Sequence, residues 1–462
     1  MNLNMNNQAE SKLPKRSLLV VCNDVIGEKM AGPAIRCIEI AQSAAEKFDT
    51  TLVAPKVSGK NFVRFKLLEI QPDILKSLAD KSDVVLIQGD ALVRYPFLKE
   101  ISGVLIADLY CPIPLEYHQV SDGIDMSERL SMGKHLSSVV AEQLAYADYF
   151  LCASEKQKDF WLGALTVMGR INGLRWEKSN RANINDLILL LPFGLPNADP
   201  APEQVTLRAK FDIPKDHFVA VWGGGIYEWF DPLTIIKAIR ILNDRGDNVH
   251  LVFIGVKHPN PGIQDHDICA RAISLSRELD LLDRFVHFNS GWVDYETRSQ
   301  YFMDANIGVS AHFDNPETRF SFRTRMLDYL WCNLPIVTTR GDYFGDTVTS
   351  EGLGATVNFE DLDGWVEEIS RLQQDVQFYE KCSSQVANFK IRFRWENVTK
   401  PLLDIVASIE PSADREFARN CFGKTAIKPS LFTRVRHVYS TGGFRKLFTL
   451  GVRRIHLAFK LG

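Results

Sequence analysis

The chain reads ETRFSFRTRMLDYLWCNLPIVTTRGD from Glu317 to Asp342. Its first part carries three arginines, its middle has the spacing of an amphipathic helix, and an apolar run near its end is typical of a buried strand. Positive charge at the start of a helix indicates an anion site, because backbone N–H groups there are unpaired and the helix dipole favours negative charge. The alternative is an ordinary surface ion pair between Arg325 and Asp328, which stand three residues apart.

Length, charge and cysteine pattern limit the class of protein. A chain of 462 residues is too long for one hydrophobic core, so we expect two domains with extensions. The net charge of −3 argues against a protein-wide basic surface for nucleic acid. The eight cysteines are scattered without a C-x-x-C pair, which indicates reduced, buried thiols of a cytoplasmic protein. Residues 1–16 are polar and are expected to form a disordered lead-in, and no apolar run approaches the roughly 20 residues that span a bilayer.

Short apolar runs alternate with helix-sized segments along most of the chain. This pattern is typical of doubly wound α/β domains, whose parallel sheets are covered by helices on both faces. The predicted strands are residues 17–22, 51–54, 83–87, 103–107, 149–152 and 187–191, followed by 218–222, 249–254, 285–288, 306–310, 334–338 and 354–357. Residues 191–202 are rich in Pro and Gly and predict an interdomain linker. We therefore place one Rossmann-like domain at 17–195 and a second at 196–385.

Loops after the strands of the first domain are the expected positions of function, because doubly wound sheets bind ligands at the carboxyl ends of their strands. Gly32-Pro33 follows the first strand and fits a helix start at which a ligand approaches closely, although a plain strand-to-helix turn is the alternative. Asp108, Tyr110 and Glu116 follow the fourth strand and are candidate polar contacts.

The second domain opens with a glycine-rich turn, Gly223-Gly224-Gly225. Three glycines between a strand and a helix let backbone amides approach a ligand, but the spacing is not G-x-G-x-x-G and is weak as a dinucleotide fingerprint. Asp231 is the expected N-cap and Pro232 the first residue of the helix that follows. Two similar α/β halves predict a ligand cleft between them.

These residues resemble the retaining, nucleotide-sugar-dependent glycosyltransferases of family 4, whose GT-B fold has two facing Rossmann-like domains. The resemblance covers residues 17–408. The features that carry it are the glycine-rich turn, Phe288-Asn-Ser-Gly-Trp-Val293 with Tyr301–Asn306, and the helix Arg325–Trp331 before Leu334-Pro-Ile-Val337. A bacterial branch associated with surface polysaccharide is similar in residues 153–161 and 323–331.

The resemblance implies transfer of a sugar from a nucleotide-diphosphate donor to a lipid-linked or saccharide acceptor. It places the family's ribose-binding carboxylate on Asp328. The family's sugar-binding glutamate falls on Phe320, so this chain departs from the family's pattern there; the nearest carboxylate is Glu317. The family's Arg and Lys at the glycine-rich turn fall on Gly225 and Phe230. An unpaired buried charge costs several kcal/mol, so we expect the arginines of the opening segment, with Arg323 foremost, to hold the diphosphate.

The predicted site residues fall into three groups. The catalytic candidates are Arg323, Glu317 and Asp108. The donor-binding candidates are Gly224, Gly225, Trp292, Val293, Ser321, Phe322, Arg323, Arg325 and Asp328, and the acceptor-side candidates are Gly32, Pro33, Tyr110 and Glu116. No Asp-x-Asp motif with an apolar lead-in occurs, so we expect neither a metal nor a cofactor besides the nucleotide sugar as co-substrate.

The end of the chain predicts a return to the first domain and a membrane contact. The resemblance implies that residues 386–410 form a helix that closes the fold, and 411–462 is expected to be a basic amphipathic tail. Residues 417–462 hold ten Lys or Arg and no Asp or Glu. That composition predicts an anionic membrane surface as partner, which places the protein peripherally on the inner face of the cell membrane. Packing of the tail on the body is the alternative.

Two other functions stay open at this point. A catalytically weakened GT-B subunit that binds nucleotide sugar or a partner synthase is favoured by Phe320, Gly225 and Phe230. A GT-B-like epimerase or phosphorylase is the third, and the lack of a lysine motif for a pyridoxal cofactor counts against it.

Overall fold

The computed structural model describes residues 15–27, 30–59, 62–121, 124–178, 186–201, 207–256, 267–289, 291, 293 and 297–422. Nearly all of the expected disordered lead-in and residues 423–462 of the expected tail therefore lie outside the described residues.

Two parallel sheets form the two domains. The strands of the first sheet are β1 (Ser17–Val21), β2 (Asp49–Ala54), β3 (Lys66–Glu69), β4 (Val84–Gln88), β5 (Val104–Asp108), β6 (Tyr149–Cys152) and β7 (Ile188–Leu190). Those of the second are β8 (Phe218–Trp222), β9 (Val249–Phe253), β10 (Val286–Phe288), β11 (Ile307–Ser310), β12 (Ile336–Thr339) and β13 (Gly354–Val357). The strand orders are β3-β2-β1-β4-β5-β6-β7 and β10-β9-β8-β11-β12-β13. Two doubly wound sheets confirm the predicted fold class.

Helices connect the strands and cover both sheets. In the N-terminal half they are α1 (Gly32–Ala44), α2 (Pro72–Lys81), α3 (Ala91–Arg94), α4 (Ile113–Val120), α5 (Met126–Tyr146), α6 (Glu155–Val167), α7 (Gly173–Lys178) and α8 (Leu207–Lys210). They continue as α9 (Pro232–Asp244), α10 (Asp267–Glu278), α11 (Ser299–Phe302), α12 (Pro316–Phe320), α13 (Arg325–Trp331), α14 (Tyr343–Glu351), α15 (Leu362–Gln374), α16 (Val376–Phe389), α17 (Trp395–Val398), α18 (Lys400–Val406) and α19 (Arg415–Phe422). Short 3₁₀ helices lie at Pro96–Glu100 and Lys390–Phe393.

One strand, β3, has no counterpart among the predicted strands. It is the edge strand of its sheet, and Lys66, Leu68 and Glu69 are exposed. An edge strand that is not covered on both faces lacks the continuous apolar run by which the other strands are found. Its sequence therefore carries no strand signal of that kind.

The chain crosses between the domains twice at one place. The Leu195 amide donates to the Phe393 carbonyl (2.6 Å), and the Trp395 amide donates to the Leu195 carbonyl (3.0 Å). Beyond this crossing, Leu402, Leu403 and Val406 of α18 belong to the same buried cluster as core residues of β1 and α1. Helix α18 thus packs on the N-terminal domain.

Residues 411–422 are part of the folded body. Asp414 is buried and accepts hydrogen bonds from Nε of Arg170 (2.9 Å) and Nε of Arg175 (2.8 Å), and Arg415 pairs with Asp148. Residues 411–422, expected to form the first part of the tail, are thus tied to the first domain by these ion pairs. No helix within the described ranges is long and apolar enough to cross a bilayer.

Candidate functional site

A cavity of about 330 Å³ lies between the two domains. Its size and its interdomain position are typical of small-molecule sites. The first domain contributes the start of α1, helix α4 and the loop that follows β5. The second domain contributes the glycine-rich turn and the segment from α12 to α13. The predicted residues that line it are Gly32, Tyr110, Glu116, Gly224, Gly225, Val293, Glu317, Ser321, Phe322, Arg323, Arg325 and Asp328.

Three predicted site residues are not placed in the cavity. Arg36 donates from Nε and Nη2 to both carboxylate oxygens of Asp108 (2.7 and 3.0 Å), and both side chains are fully buried. Asp108 is thus an internal partner of Arg36 within the first domain, and we remove it from the catalytic candidates. Pro33 lies in the first turn of α1 without lining the cavity. Trp292 lies outside the described residues.

The glycine-rich turn after β8 is fixed to α13 by one tyrosine. The Tyr329 hydroxyl accepts a hydrogen bond from the Gly223 amide and donates one to the Val309 carbonyl, both at 2.8 Å. A side chain at Gly308 is excluded, because a Cβ there would lie 2.2 Å from the Tyr329 ring. Gly224 has a φ of +71°, a conformation that favours glycine. The turn is therefore held rigidly at the edge of the cavity.

The Arg325 guanidinium packs directly against this turn. Its Nη2 donates to the Gly225 carbonyl (2.7 Å), and its central carbon lies 3.9 Å from the ring centroid of Phe230 and 4.9 Å from that of Trp222. Burial lowers the pKa of Arg325 to about 10, so the group remains a cation at neutral pH. Within the described part of the chain, its Nη1 has no hydrogen-bond partner. The site thus holds a buried positive charge with one unpaired N–H donor.

Arg323, by contrast, is neutralised by neighbouring carboxylates. Its Nη1 and Nη2 donate to Oε1 and Oε2 of Glu317 (2.9 and 2.7 Å), and its Nε lies 3.8 Å from Oδ2 of Asp342. Burial raises the pKa of Asp342 to about 6, although the Arg323 charge opposes this shift. Arg323 and Glu317 line the cavity, but their charges are directed at each other.

Asp328 is oriented by an arginine that the sequence reasoning missed. Its Oδ1 accepts a hydrogen bond from Nε of Arg298 (2.6 Å), and the Arg298 guanidinium stacks 4.7 Å from the Trp331 ring. The alternative of a surface ion pair between Asp328 and Arg325 is not what the structure shows. Arg298 follows β10 in a segment without a local pattern, so no sequence signal singles it out.

Phe320 turns away from the cavity. Its ring packs 4.7 Å from the Phe160 ring of α6, and its carbonyl accepts a hydrogen bond from Nε2 of Gln157 (2.9 Å). The segment before it is the short helix α12, capped by Asn315, where the sequence predicted a loop. The position of the family's sugar-binding glutamate is therefore an interdomain packing position in this chain.

Two aromatic residues of the cavity wall were also missed. Tyr227 and Trp229 line the cavity, and their rings stack with centroids 4.9 Å apart. The signal that marks them is the run Ile-Tyr-Glu-Trp-Phe that directly follows the three glycines. Flat apolar rings of this kind suit the faces of sugars and bases.

No group of three or more His, Cys, Asp or Glu residues in the described part of the chain is placed to hold a metal ion. Direct hydrogen bonds join three histidines of the second domain in a line, between Nδ1 of His217 and Nε2 of His250 (2.9 Å) and between Nδ1 of His250 and Nε2 of His287 (3.0 Å). Burial lowers the pKa of His250 to about 3 and that of His287 to about 4. That no metal is needed stays a prediction.

Comparison with known proteins identifies the architecture. No protein-family model matches the sequence, and no curated protein matches it. Sucrose-phosphate synthase from Thermosynechococcus elongatus is 15% identical with a TM-score of 0.60, over 85% of this chain and 98% of that chain. HepE from Anabaena in complex with UDP-glucose is 13% identical with a TM-score of 0.59, over 85% of this chain and 100% of that chain. A trehalose-phosphate synthase from Burkholderia xenovorans in complex with glucose-6-phosphate is 11% identical with a TM-score of 0.58, over 85% of this chain and 100% of that chain. The likeness shows the fold: two facing Rossmann-like domains in the GT-B arrangement.

Proposed function

We propose that the protein is a glycosyltransferase that moves a sugar from a nucleotide-diphosphate donor to a saccharide or lipid-linked acceptor with retention of configuration. The observation that carries this proposal is the buried, partly unpartnered Arg325 guanidinium beside the glycine-rich turn of an interdomain cavity. The GT-B fold and a neighbour solved with UDP-glucose support the class of donor.

The donor diphosphate needs a cation in this cavity, because a buried charge without a partner costs several kcal/mol. Gly225 and Phe230 stand where the resembled family has an Arg and a Lys. Arg325 contacts both of these residues, so its guanidinium supplies positive charge at the same place from a different segment. α13 has only seven residues, so we assign the charge to the side chain and not to the helix dipole.

Asp328 is the proposed ribose contact. A carboxylate accepts hydrogen bonds from paired hydroxyls, and Arg298 holds this one in place at the cavity wall. With Arg325 on the diphosphate side, the two residues of α13 span the nucleotide from phosphate to ribose.

The proposed reaction balances within the two substrates. The bond between the anomeric carbon and the diphosphate oxygen breaks, a bond from the acceptor oxygen to that carbon forms on the same face, and the acceptor proton passes to the leaving diphosphate. Arg325 stabilises the charge that develops on the diphosphate. Glu317 is bonded at both oxygens by Arg323, so we give it a role in holding Arg323 rather than in catalysis.

A role in bacterial surface-polysaccharide synthesis at the membrane is the finer part of the proposal. Its support is the branch-level resemblance and the ten basic residues in 417–462. Because residues up to Phe422 pack on the body, truncation after Phe422 is the appropriate variant, and we expect it to lose binding to anionic vesicles while it keeps donor binding. A truncated protein that still binds these vesicles contradicts the membrane role.

A thermal-shift screen over nucleotide-diphosphate sugars tests the function. A ligand at 100 times its dissociation constant adds about 2.7 kcal/mol of stability, so at least one donor should raise the melting temperature. The same donor should release its nucleotide diphosphate on incubation with the protein. Stabilisation without turnover favours the weakened subunit, which is supported by the packing of Phe320 on Phe160 outside the cavity. If no donor stabilises the protein, both the glycosyltransferase and the weakened-subunit hypotheses are contradicted.

A further inference from the structure

Glu116 of α4 differs from the other carboxylates of the cavity wall. The described residues contribute three such carboxylates, Glu116, Glu317 and Asp328. Glu317 is paired with Arg323 and Asp328 with Arg298. Glu116 is the one of the three without an ion pair inside the described ranges. It is also the one that the first domain supplies, opposite the donor contacts.

The groups around Glu116 come from both domains. Desolvation, together with the Glu317 charge, raises the pKa of Glu116 to about 7, while the Arg323 charge opposes the shift. The groups that act on it are Glu317, Arg323 and the Cys111 thiol; the charged residues of the neighbouring α5, Glu128 and Arg129, act on Tyr117 instead. Glu116 therefore faces the second domain across the cleft.

The charge at this end of the cavity is negative. When Glu116 is ionised, above about pH 7, Glu116 and Glu317 contribute −2 and Arg323 contributes +1, which leaves −1, and Asp342 lies 3.8 Å from Arg323 as well. Among the described residues of the first domain, no Lys or Arg lines the cavity. A phosphate placed here would meet carboxylates, whereas hydroxyl groups would find an acceptor with two oxygens.

We propose that this end of the cavity selects an acceptor that presents sugar hydroxyls and carries no phosphate there, and that Glu116 accepts hydrogen bonds from those hydroxyls. Glu116 is then a specificity-determining residue for the acceptor. The inference rests on the proposed function, because the donor contacts on α13 define which end of the cavity receives the acceptor.

Paired probes with and without phosphate test this selectivity. Glucose and glucose-6-phosphate, and mannose and mannose-6-phosphate, are titrated by ligand-detected NMR into protein saturated with UDP. At pH 8 we expect each unphosphorylated sugar to bind about tenfold more tightly than its phosphate, because like charges oppose each other. At pH 6 the preference should shrink, because Glu116 takes up a proton below about pH 7 and because the sugar phosphate itself takes up a proton near pH 6.

Two variants assign the effect to Glu116. Glu116→Gln should lose both the preference and its pH dependence, and Glu116→Asp should keep the preference. Glu39→Gln is the matched control, because burial also raises the pKa of Glu39 to about 7 but this residue does not line the cavity. Glu39→Gln should behave like the unaltered protein.

Several results overturn the inference. They are tighter binding of either phosphorylated sugar, binding of none of the four sugars, or an unchanged preference in a folded Glu116→Gln variant. The thermal-shift screen over nucleotide-diphosphate sugars separates this failure from a broader one. If no donor of that screen binds, the proposed function itself is contradicted; if one binds and the sugar results fail, only the acceptor inference falls.

Discussion

Replacing Arg325 by Met removes the guanidinium and keeps much of the side-chain volume. The free protein loses a charge-assisted hydrogen bond to Gly225, worth roughly 1.5–3 kcal/mol, and stacking on Phe230 and Trp222, worth roughly 0.5–2 kcal/mol. It also escapes the desolvation of a buried cation, which costs several kcal/mol. Because these contributions oppose each other, we expect the free energy of unfolding to change by less than about 2 kcal/mol.

The effect on ligand binding should be larger and selective. If the unpaired Nη1 of Arg325 donates to the diphosphate, Arg325→Met loses a charge-assisted hydrogen bond of roughly 1.5–3 kcal/mol. This loss weakens nucleotide binding roughly 10- to 150-fold. Nucleosides lack the diphosphate, so their affinity should be unaffected.

Calorimetric titration of UDP against uridine, and of GDP against guanosine, measures this difference. Arg323→Met is the matched control: it strands the buried Glu317 carboxylate and should lower the free energy of unfolding by about 3–5 kcal/mol. Equal losses of affinity for nucleotide and nucleoside in Arg325→Met, or unchanged UDP affinity, would refute the reasoning.

Three further perturbations address separate parts of the molecule. Asp328→Ala should weaken UDP and uridine alike, about tenfold or more, because both carry the ribose; calorimetry that shows unchanged affinity for uridine rules this contact out. Asp108→Ala leaves Arg36 buried without its partner and should lower the free energy of unfolding by about 3–5 kcal/mol without altering UDP affinity, so a loss of UDP binding in a stable variant would return Asp108 to the site. His250 and His287 stay neutral in the folded protein down to about pH 3 and 4, whereas the unfolded chain takes up protons below about pH 6.5. The stability that these two neutral histidines contribute is thus fully present above pH 6.5 and decreases toward pH 4, while the raised pKa values of Glu39, Glu116 and Asp342 act in the opposite direction. The contribution is measured as the difference in free energy of unfolding in urea between the unaltered protein and a variant with His250→Gln and His287→Gln, and an equal difference at pH 7 and pH 5 would contradict this.

Local chemistry made most of the fold predictable. Strands covered on both faces must be continuously apolar, and all twelve runs of this kind are strands in the structure. The start of α9 was also predictable, since Asp231 accepts a hydrogen bond from the Thr234 amide (3.0 Å) and Pro232 follows it. The edge strand β3 escaped because nothing requires it to be apolar.

The site was predictable where one segment carries it and unpredictable where distant segments meet. Arg323 and Arg325 stand two residues apart in the sequence, yet Arg323 is ion-paired with Glu317, whereas Arg325 donates to the Gly225 carbonyl and packs on the Phe230 ring. That distinction depends on how the segment folds in three dimensions. The ion pair between Arg298 and Asp328 also depends on the three-dimensional fold, because these residues stand thirty positions apart in the sequence.

A crystal structure with the nucleotide sugar that stabilises the protein most in the thermal-shift screen tests the central claim most directly. The account predicts diphosphate oxygens within hydrogen-bond distance of the Arg325 guanidinium, beside Gly224 and Gly225, and ribose hydroxyls on Asp328. A nucleotide bound outside the interdomain cavity, or bound within it with its diphosphate away from Arg325, would contradict the account.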